Sequence, residues 1–347
     1  MSISSHTSTL ESPLANHLKA RAAHVEQLHA MVQSTSQHRL RAFGLRVGEL
    51  DKLRRNAYAS SGCELTPDDA LIVMACAVSD AADSPPVFSH GTARAIWDLP
   101  AIGATSRWVE HVVPAGTRGR TPNVRRRRTD LSTEAVDIGG LLVTPYEQTL
   151  VDHARDARLE SGISVCDDAL HLELTTRDLL LTELERVPRG RRGRRMAELA
   201  IHLADGRAES PLESLSRTRM FQLSLPMPEL QHWFYDGEGL IGRTDFYWPQ
   251  LGLVGESDGD LKYAVPEDDS GRDAVDALLQ EKQREQRLRR HPDVDDVARW
   301  DWADALPPGR LHLVLAAHGL RPVLDGGWPV PDGPLPKRAF LPVDRLR

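Results

Sequence analysis

At 347 residues the chain exceeds the usual reach of one hydrophobic core, which predicts two or three domains and excludes a small disulfide-stapled scaffold. A hydrophobic share of 40% with 27% charged residues excludes a disordered chain. Fifty acidic residues against 43 Lys and Arg give a formal charge of −7, so no global positive field draws the chain to nucleic acid or membrane, and any basic site has to be local.

Cys63, Cys76 and Cys166 are widely spaced with no Cys-x-x-Cys, against a disulfide framework or a zinc ribbon. Met1 to Leu10 lacks both a cationic start and an apolar stretch, and the longest clean apolar run, Leu71 to Val78, is far short of the ~18 residues that span a bilayer. The expectation is a cytoplasmic protein with no membrane partner.

Residues 11–33 place Leu14, Leu18, Val25, Leu28 and Val32 near helical spacing. Gln37 to Tyr58 holds two short helical candidates divided at Phe43-Gly44-Leu45. The second, Val47 to Arg55, turns Leu50 and Leu53 inward and Lys52, Arg54 and Arg55 outward, which is the rhythm of a helix-turn-helix or of an ordinary helical hairpin. Pro67 opens a helix over Asp68 to Ala82, and Ser89-His90 leads into another through Trp97. Trp108 to Val113 alternates as a strand, Val124 to Thr129 is its candidate partner, and Ile138-Gly-Gly-Leu-Leu-Val143 reads as a hairpin before Pro145 starts a helix. Residues 163–205 look helical around the Gly-broken arginine run Pro188 to Arg195.

From Glu209 the texture becomes helix, strand, strand, charged helix, short strand, a separate domain to about Leu320, followed by a Pro-rich tail. The expected class is α/β in a multidomain α+β arrangement: 1–62 helical and helix-turn-helix-like, 63–160 an α+β domain with a β-rich middle, 161–208 a helical linker with the arginine loop, 209–320 a mixed sheet flanked by helices, and 321–347 the tail.

Chemistry concentrates in the fourth segment. Gly242 to Trp248 and Leu251 to Asp258 form an antiparallel hairpin if Pro249 to Gly252 is a four-residue loop. That register sets Tyr247 opposite Val254 and Asp245 opposite Glu256, with Asp258 on the face of Glu256. Three carboxylates so close repel one another unless a divalent cation or raised pKa values relieve them, and hard oxygen donors suit Mg²⁺ or Mn²⁺. The plain alternative is a solvated strand end with Arg243 paired to Asp258. Ser210-Pro-Leu-Glu213 is a capping box, and Glu213 is also a candidate fourth carboxylate. Lys282, Arg284, Arg287, Arg289 and Arg290 lie on a helix that is either salt-paired and solvated or a phosphate-backbone contact.

The series Glu209-Ser-Pro-Leu-Glu-Ser-Leu-Ser-Arg217, Gly242-Arg-Thr-Asp-Phe-Tyr-Trp-Pro249, Val254-Gly-Glu-Ser-Asp-Gly-Asp-Leu-Lys-Tyr263, Glu281-Lys-x-Arg-Glu285 and Trp300-Asp-Trp-Ala-Asp304 resembles the PD-(D/E)xK restriction-endonuclease-like fold. It is most similar to very-short-patch-repair-like endonuclease domains of actinobacterial proteins. The resemblance implies Asp245 and Glu256 as metal carboxylates, Asp258 at the position of the usual lysine, Glu213 as the helix glutamate, and Lys262 as a candidate catalytic cation. The amino-terminal part is similar to AbiEi-type antitoxin regulators through Leu53-Arg-Arg-Asn-Ala-Tyr58, Ser89 to Pro100 and Val143 to Asp152. That likeness implies a DNA-binding start and a toxin partner.

The expectation is a DNA-acting protein with Mg²⁺-dependent phosphodiester hydrolysis, in which Arg54, Arg55, Arg125, Arg126, Arg191, Arg192, Lys282 and Arg284 meet the DNA. The alternatives are a non-enzymatic regulator that binds DNA or a toxin, and an interaction protein whose arginine runs are solvated loops.

Overall fold

The computed structural model describes residues 12–34, 50–54, 57–60, 65–113, 123–128, 131, 133–259 and 271–340. In chain order its helices are α1 (Pro13–Ala30), α2 (Pro67–Ser79), α3 (His90–Ile96), α4 (Tyr146–Asp156), α5 (Leu159–His171), α6 (Arg177–Glu185), α7 (Arg194–Leu203), α8 (Pro211–Gln222), α9 (Gly271–Leu288), α10 (Trp302–Ala305) and α11 (Leu311–Ala317). The strands are β1 (Val32–Ser34), β2 (Leu50–Arg54), β3 (Ala57–Ser60), β4 (Val87–Phe88), β5 (Val109–Val112), β6 (Val124–Arg127), β7 (Val136–Ile138), β8 (Leu141–Val143), β9 (Glu229–Asp236), β10 (Gly239–Trp248), β11 (Leu253–Ser257) and β12 (Asp296–Trp300). The class is thus α+β and multidomain. Among the described residues no helix is long and apolar enough to cross a membrane.

Two compact units divide the chain, Met1–Asp156 with Leu172–Ala197, and Ala157–His171 with Glu198–Arg347. The stretch expected as a linker, 161–208, is therefore shared out: α6 and the arginine loop belong to the first unit, α5 to the second, and the boundary falls inside α7.

The first unit carries a three-stranded sheet in the order β1-β3-β2 and a five-stranded mixed sheet in the order β6-β5-β4-β8-β7. This corrects the reading of 1–62 as helical. The expected second helix, Val47 to Arg55, is in its described part the strand Leu50–Arg54, paired antiparallel with Ala57–Ser60. Antiparallel strand pairing overrides a short helical spacing. The other helical candidate, from Gln37, lies outside the described residues. Thr66 caps α2 by accepting from Asp69 N at 3.1 Å. Ile72, Phe88, Ile96, Trp97, Ile138 and Leu150 are fully or almost fully buried. Trp97 Nε1 donates to Thr144 O at 3.0 Å and its ring meets Tyr146 edge-on at 5.0 Å, which fixes α3 against α4.

The second unit is built on the mixed sheet β12-β11-β10-β9. The hairpin has the expected register, with Tyr247 opposite Val254 and Trp248 opposite Leu253. β9, not anticipated from sequence, pairs antiparallel with β10, and β12 lies parallel to β11. A parallel neighbour requires a crossover, which α9 supplies. Tyr247, Val254, Phe234, Val297 and Leu288 of α9 form one buried cluster. Phe246 belongs to the other face, where it meets Trp248 and Trp300, and Trp300 Nε1 donates to Ser216 Oγ of α8 at 2.7 Å. The Pro-rich segment packs as well: Trp328 and Phe340 flank Phe221, and Gln222 Nε2 donates to Ala339 O at 2.7 Å.

Candidate functional site

Three elements of the second unit each deliver an acid to one region. Glu213 is the third residue of α8, where the capping box forms: Ser210 Oγ accepts from Glu213 N at 3.2 Å and donates to Glu213 Oε1 at 2.8 Å. Glu213 Oε2 accepts from Glu209 N at 3.1 Å and from Gln231 Nε2 of β9 at 2.8 Å. Although so well partnered, the side chain is buried, and burial together with the charge of Asp245 raises its pKa above the ordinary glutamate value. Capping and electrostatic roles thus coexist in one residue.

Asp245 stands on β10 one residue beyond the last paired position, Phe246 opposite Gly255. There its carboxylate takes over as acceptor for the next strand: Asp245 Oδ2 receives Ser257 N at 2.8 Å and Ser257 Oγ at 2.7 Å. Glu256 is 4% exposed on β11, and burial, reinforced by the charge of Asp245, raises its pKa against the pull of Arg284. Arg284 Nη2 lies 3.2 Å from each Glu256 oxygen, while its Nε and Nη2 also hold Glu281 at 2.9 and 3.0 Å. Hydrogen bonding to Glu281, then the charge of Glu256, raise the guanidinium's pKa further.

Asp258 behaves differently. It lies just past β11, its N–H donates to Trp300 O at 2.8 Å, and its carboxylate is 3.9 Å from Arg299 Nη1. Arg299 sits opposite Glu256 on β12 and also reaches Glu281 at 3.5 Å and Glu285 at 3.8 Å. Burial works against its charge, but Glu256, Asp258, Glu285 and Glu281 together raise its pKa. The electrostatic coupling therefore joins Glu213, Asp245 and Glu256, with Asp258 in the adjoining arginine and glutamate network. The alternative pairing of Arg243 with Asp258 does not form; Arg243 binds Glu209 at 2.5 Å and lies over the Trp233 ring at 5.4 Å.

Among the described residues no three His, Cys, Asp or Glu side chains stand in a metal-holding arrangement. The donor chemistry nonetheless fits a hard divalent cation: the coupled groups are all carboxylates, and two of them are pushed toward their neutral forms by burial and, after it, by the charge of a shared neighbour. Sequence reasoning missed Ser257, Gln231 and Arg299. Ser257 lies inside the Glu-Ser-Asp motif and had a signal in that position; the other two depend on a strand and a parallel pairing that no local pattern announces.

Of the remaining expected contacts, Lys282 is exposed on α9 and Arg54 lies on β2, whereas Arg55 and Lys262 fall outside the described residues. Arg125, Arg126, Arg191 and Arg192, far apart in sequence, line one cavity of about 790 Å³ in the first unit. Arg125 is 3.4 Å from Glu110 and 5.7 Å from the Trp108 ring.

No family model matches the chain, and no solved structure matches it. It is 30% identical over 237 residues to the uncharacterized protein Rv2248 of Mycobacterium tuberculosis strain H37Rv, a span of 66% of this chain and 79% of that protein. The uncharacterized protein MT2308 of strain CDC 1551 aligns with the same identity and coverage. The chain belongs to the family of these mycobacterial proteins.

Proposed function

We propose that the second unit hydrolyses phosphodiester bonds in DNA with the help of Mg²⁺ or Mn²⁺, and that Glu213, Asp245 and Glu256 are its acidic centre. The observation that carries this reading is the convergence of acids from α8, β10 and β11, in which burial and then the charge of Asp245 raise the pKa of both glutamates. A chain built only for stability gains nothing from such repulsion, since each buried carboxylate already costs desolvation. The succession of helix, three antiparallel strands, helix and parallel strand is in keeping with the resemblance to very-short-patch-repair-like domains.

Asp245 and Glu256 would hold the cation, with Asp258 as a further oxygen donor at the strand end. When bound, the ion supplies positive charge to a phosphoryl oxygen and lowers the pKa of a water. Glu213 adds its carboxylate to the centre through its coupling to Asp245, and Gln231 keeps it oriented. Arg284 neutralises Glu256 and Arg299 neutralises Asp258, so both guanidiniums stand beside the acids where a phosphate would be met.

A second reading, a non-enzymatic regulator that binds DNA or a partner toxin, draws on one specific observation. Asp245, Glu256 and Asp258 are each matched by a group of the chain itself, Ser257, Arg284 and Arg299. The deciding experiment incubates purified protein with plasmid and linear DNA across a Mg²⁺ and Mn²⁺ titration. Cleavage is expected, lost to background in Asp245→Ala and Glu256→Ala while their melting temperatures stay near that of the parent. Metal-independent DNA or toxin binding with no nicking under any condition replaces the nuclease by the regulator.

A further inference from the structure

The first unit holds a second concentration of chemistry that the nuclease reading does not use. The cavity of about 790 Å³ is walled by guanidiniums from three places in the chain: Arg125 to Arg128 on and after β6, Arg155 on α4, and Arg191 with Arg192 on the loop before α7. Arg127 is neutralised by Glu110 at 2.6 Å and Asp156 at 2.7 Å, and Arg155 is held by Asp152 at 2.5 Å. Among the described residues, however, no carboxylate pairs with Arg128, Arg191 or Arg192. Positive charge is thus gathered in a concave space and left in excess.

The same cavity is lined by His90, a residue 7% exposed with a left-handed backbone, φ 53°. Its Nε2 is 3.8 Å from Asp156, and among the described residues its Nδ1 has no hydrogen-bond partner. A buried polar atom without a partner costs stability, and so does the backbone of a non-glycine residue in that region. Both costs coincide at one wall of the arginine cavity.

A smaller cavity of about 370 Å³ adjoins it, since Arg128, Arg155 and Arg191 line both. Its character is different. Val151, Val187 and Pro188 give it some apolar wall, Gln148 and Asp152, one turn apart on α4, give it an amide and a carboxylate, and Glu183 of α6 and Arg186 at its end add a second carboxylate and a guanidinium. Asp152 is 2% exposed; one oxygen receives Arg155 and the other, Oδ2, has no hydrogen-bond partner among the described residues.

We infer that the first unit binds a nucleoside polyphosphate, its phosphates among Arg128, Arg191 and Arg192 and its base or sugar in the smaller cavity against Gln148 and Asp152. A guanidinium wall selects phosphate oxygens, which accept planar paired N–H donors. A partly apolar pocket that carries an amide and carboxylates selects a flat group bearing N–H or O–H donors, and the two cavities lie in the size range of small-molecule sites. A DNA backbone uses the first property and has no use for the second. All the residues belong to the first unit, so the inference stands apart from the reaction assigned to the second.

Calorimetric titration of the full chain tests it, with ATP, GTP, pyrophosphate, adenosine, guanosine and a single-stranded 12-mer as probes. At least one triphosphate is expected to bind about tenfold or more tighter than pyrophosphate, and its nucleoside more weakly than either. The exposed pair Arg128→Gln/Arg192→Gln is expected to weaken triphosphate and pyrophosphate alike by about tenfold or more. Asp152→Asn is expected to erase the advantage of triphosphate over pyrophosphate. Should Asp152→Asn fail to fold, Val187→Trp at the half-buried rim fills the smaller cavity and is expected to give the same result. Equal affinity for triphosphate and pyrophosphate in the parent, binding indifferent to the arginine pair, or oligonucleotide binding with which triphosphates do not compete each overturns the assignment.

Discussion

Gly255 shows how closely the acidic centre is tied to packing. A Cβ there would lie 2.6 Å from Trp300 Cη2 and 3.1 Å from Phe246 Cβ, so only glycine lets the indole cross β11 at that point. Trp300 in turn binds Ser216 on α8, the helix that carries Glu213, and Gly255 directly precedes Glu256. Gly255→Ala is therefore expected to cost about 1–3 kcal/mol through overpacking. Denaturant titration measures it, and a variant as stable as the parent would show that the ring has room to move. At this scale spacing alone set Asp245 across from Glu256, because period two and a four-residue loop leave one parity, while their chemical roles came only from the resemblance. Arg299 was silent: its place opposite Glu256 arises from parallel pairing between strands 38 or more residues apart in sequence. Asp258 follows the end of the strand at Ser257, so strict alternation no longer fixes its face.

The elements legible in advance were those whose signals are local. Pro67 after Thr66, Pro211 after Ser210 and the Gly139-Gly140 turn each declare a boundary within four residues. β9 stayed hidden because Glu229 to Asp236 mixes exposed aromatics with charges and contains Gln231 at φ 55°, so it lacks clean alternation. Val47 to Arg55 misled for the opposite reason, a helical spacing too short to outweigh pairing. The arginine run before α7 reads as a solvated loop until Gly193 is placed. At φ 84° its position admits no Cβ, which would fall 2.3 Å from Arg155 O, and Arg155 Nη2 reaches Arg192 O at 3.4 Å. The loop thus closes directly on α4. Gly193→Ala is expected to destabilise the protein by about 1–3 kcal/mol and to weaken pyrophosphate binding in the arginine cavity, since overpacking and a disfavoured backbone act together. Thermal melting and calorimetry on that variant check both; unchanged values would mean the loop is not anchored through this contact.

Across the whole molecule the charge of −7 conceals an uneven division. The first unit has 24 Lys and Arg against 21 Asp and Glu, a formal +3, and the second 19 against 29, a formal −10. Their buried titratable groups differ in the same sense. In the first unit, burial and then the charge of Arg127 lower His90 to about 3, burial and then Arg94 lower His153 to about 3, and burial lowers His111. Groups held neutral in this way stabilise the fold above the unfolded imidazole value of about 6.5, and that stability is lost as the pH falls from there toward the folded pKa. Asp152, raised by burial, offsets part of the loss. In the second unit burial raises Asp167 to about 6 and raises Glu213 and Glu256. Their contribution is fully present below the unfolded carboxylate values of about 4 and is lost as the pH rises through the folded ones. Acidification also relieves the second unit's self-repulsion. Two cores with opposite linkage should not melt as one. Calorimetry from pH 7 to pH 5 is therefore expected to show one transition falling, by about 1–3 kcal/mol of stability, while the other holds or rises. Hydrogen exchange assigns them: amides of α3 and α4 should lose protection at pH 5 and those of α8 and β11 should keep it. His90→Asn should make the falling transition shallower, since His153 and His111 remain, and a single transition with one pH slope would refute the division.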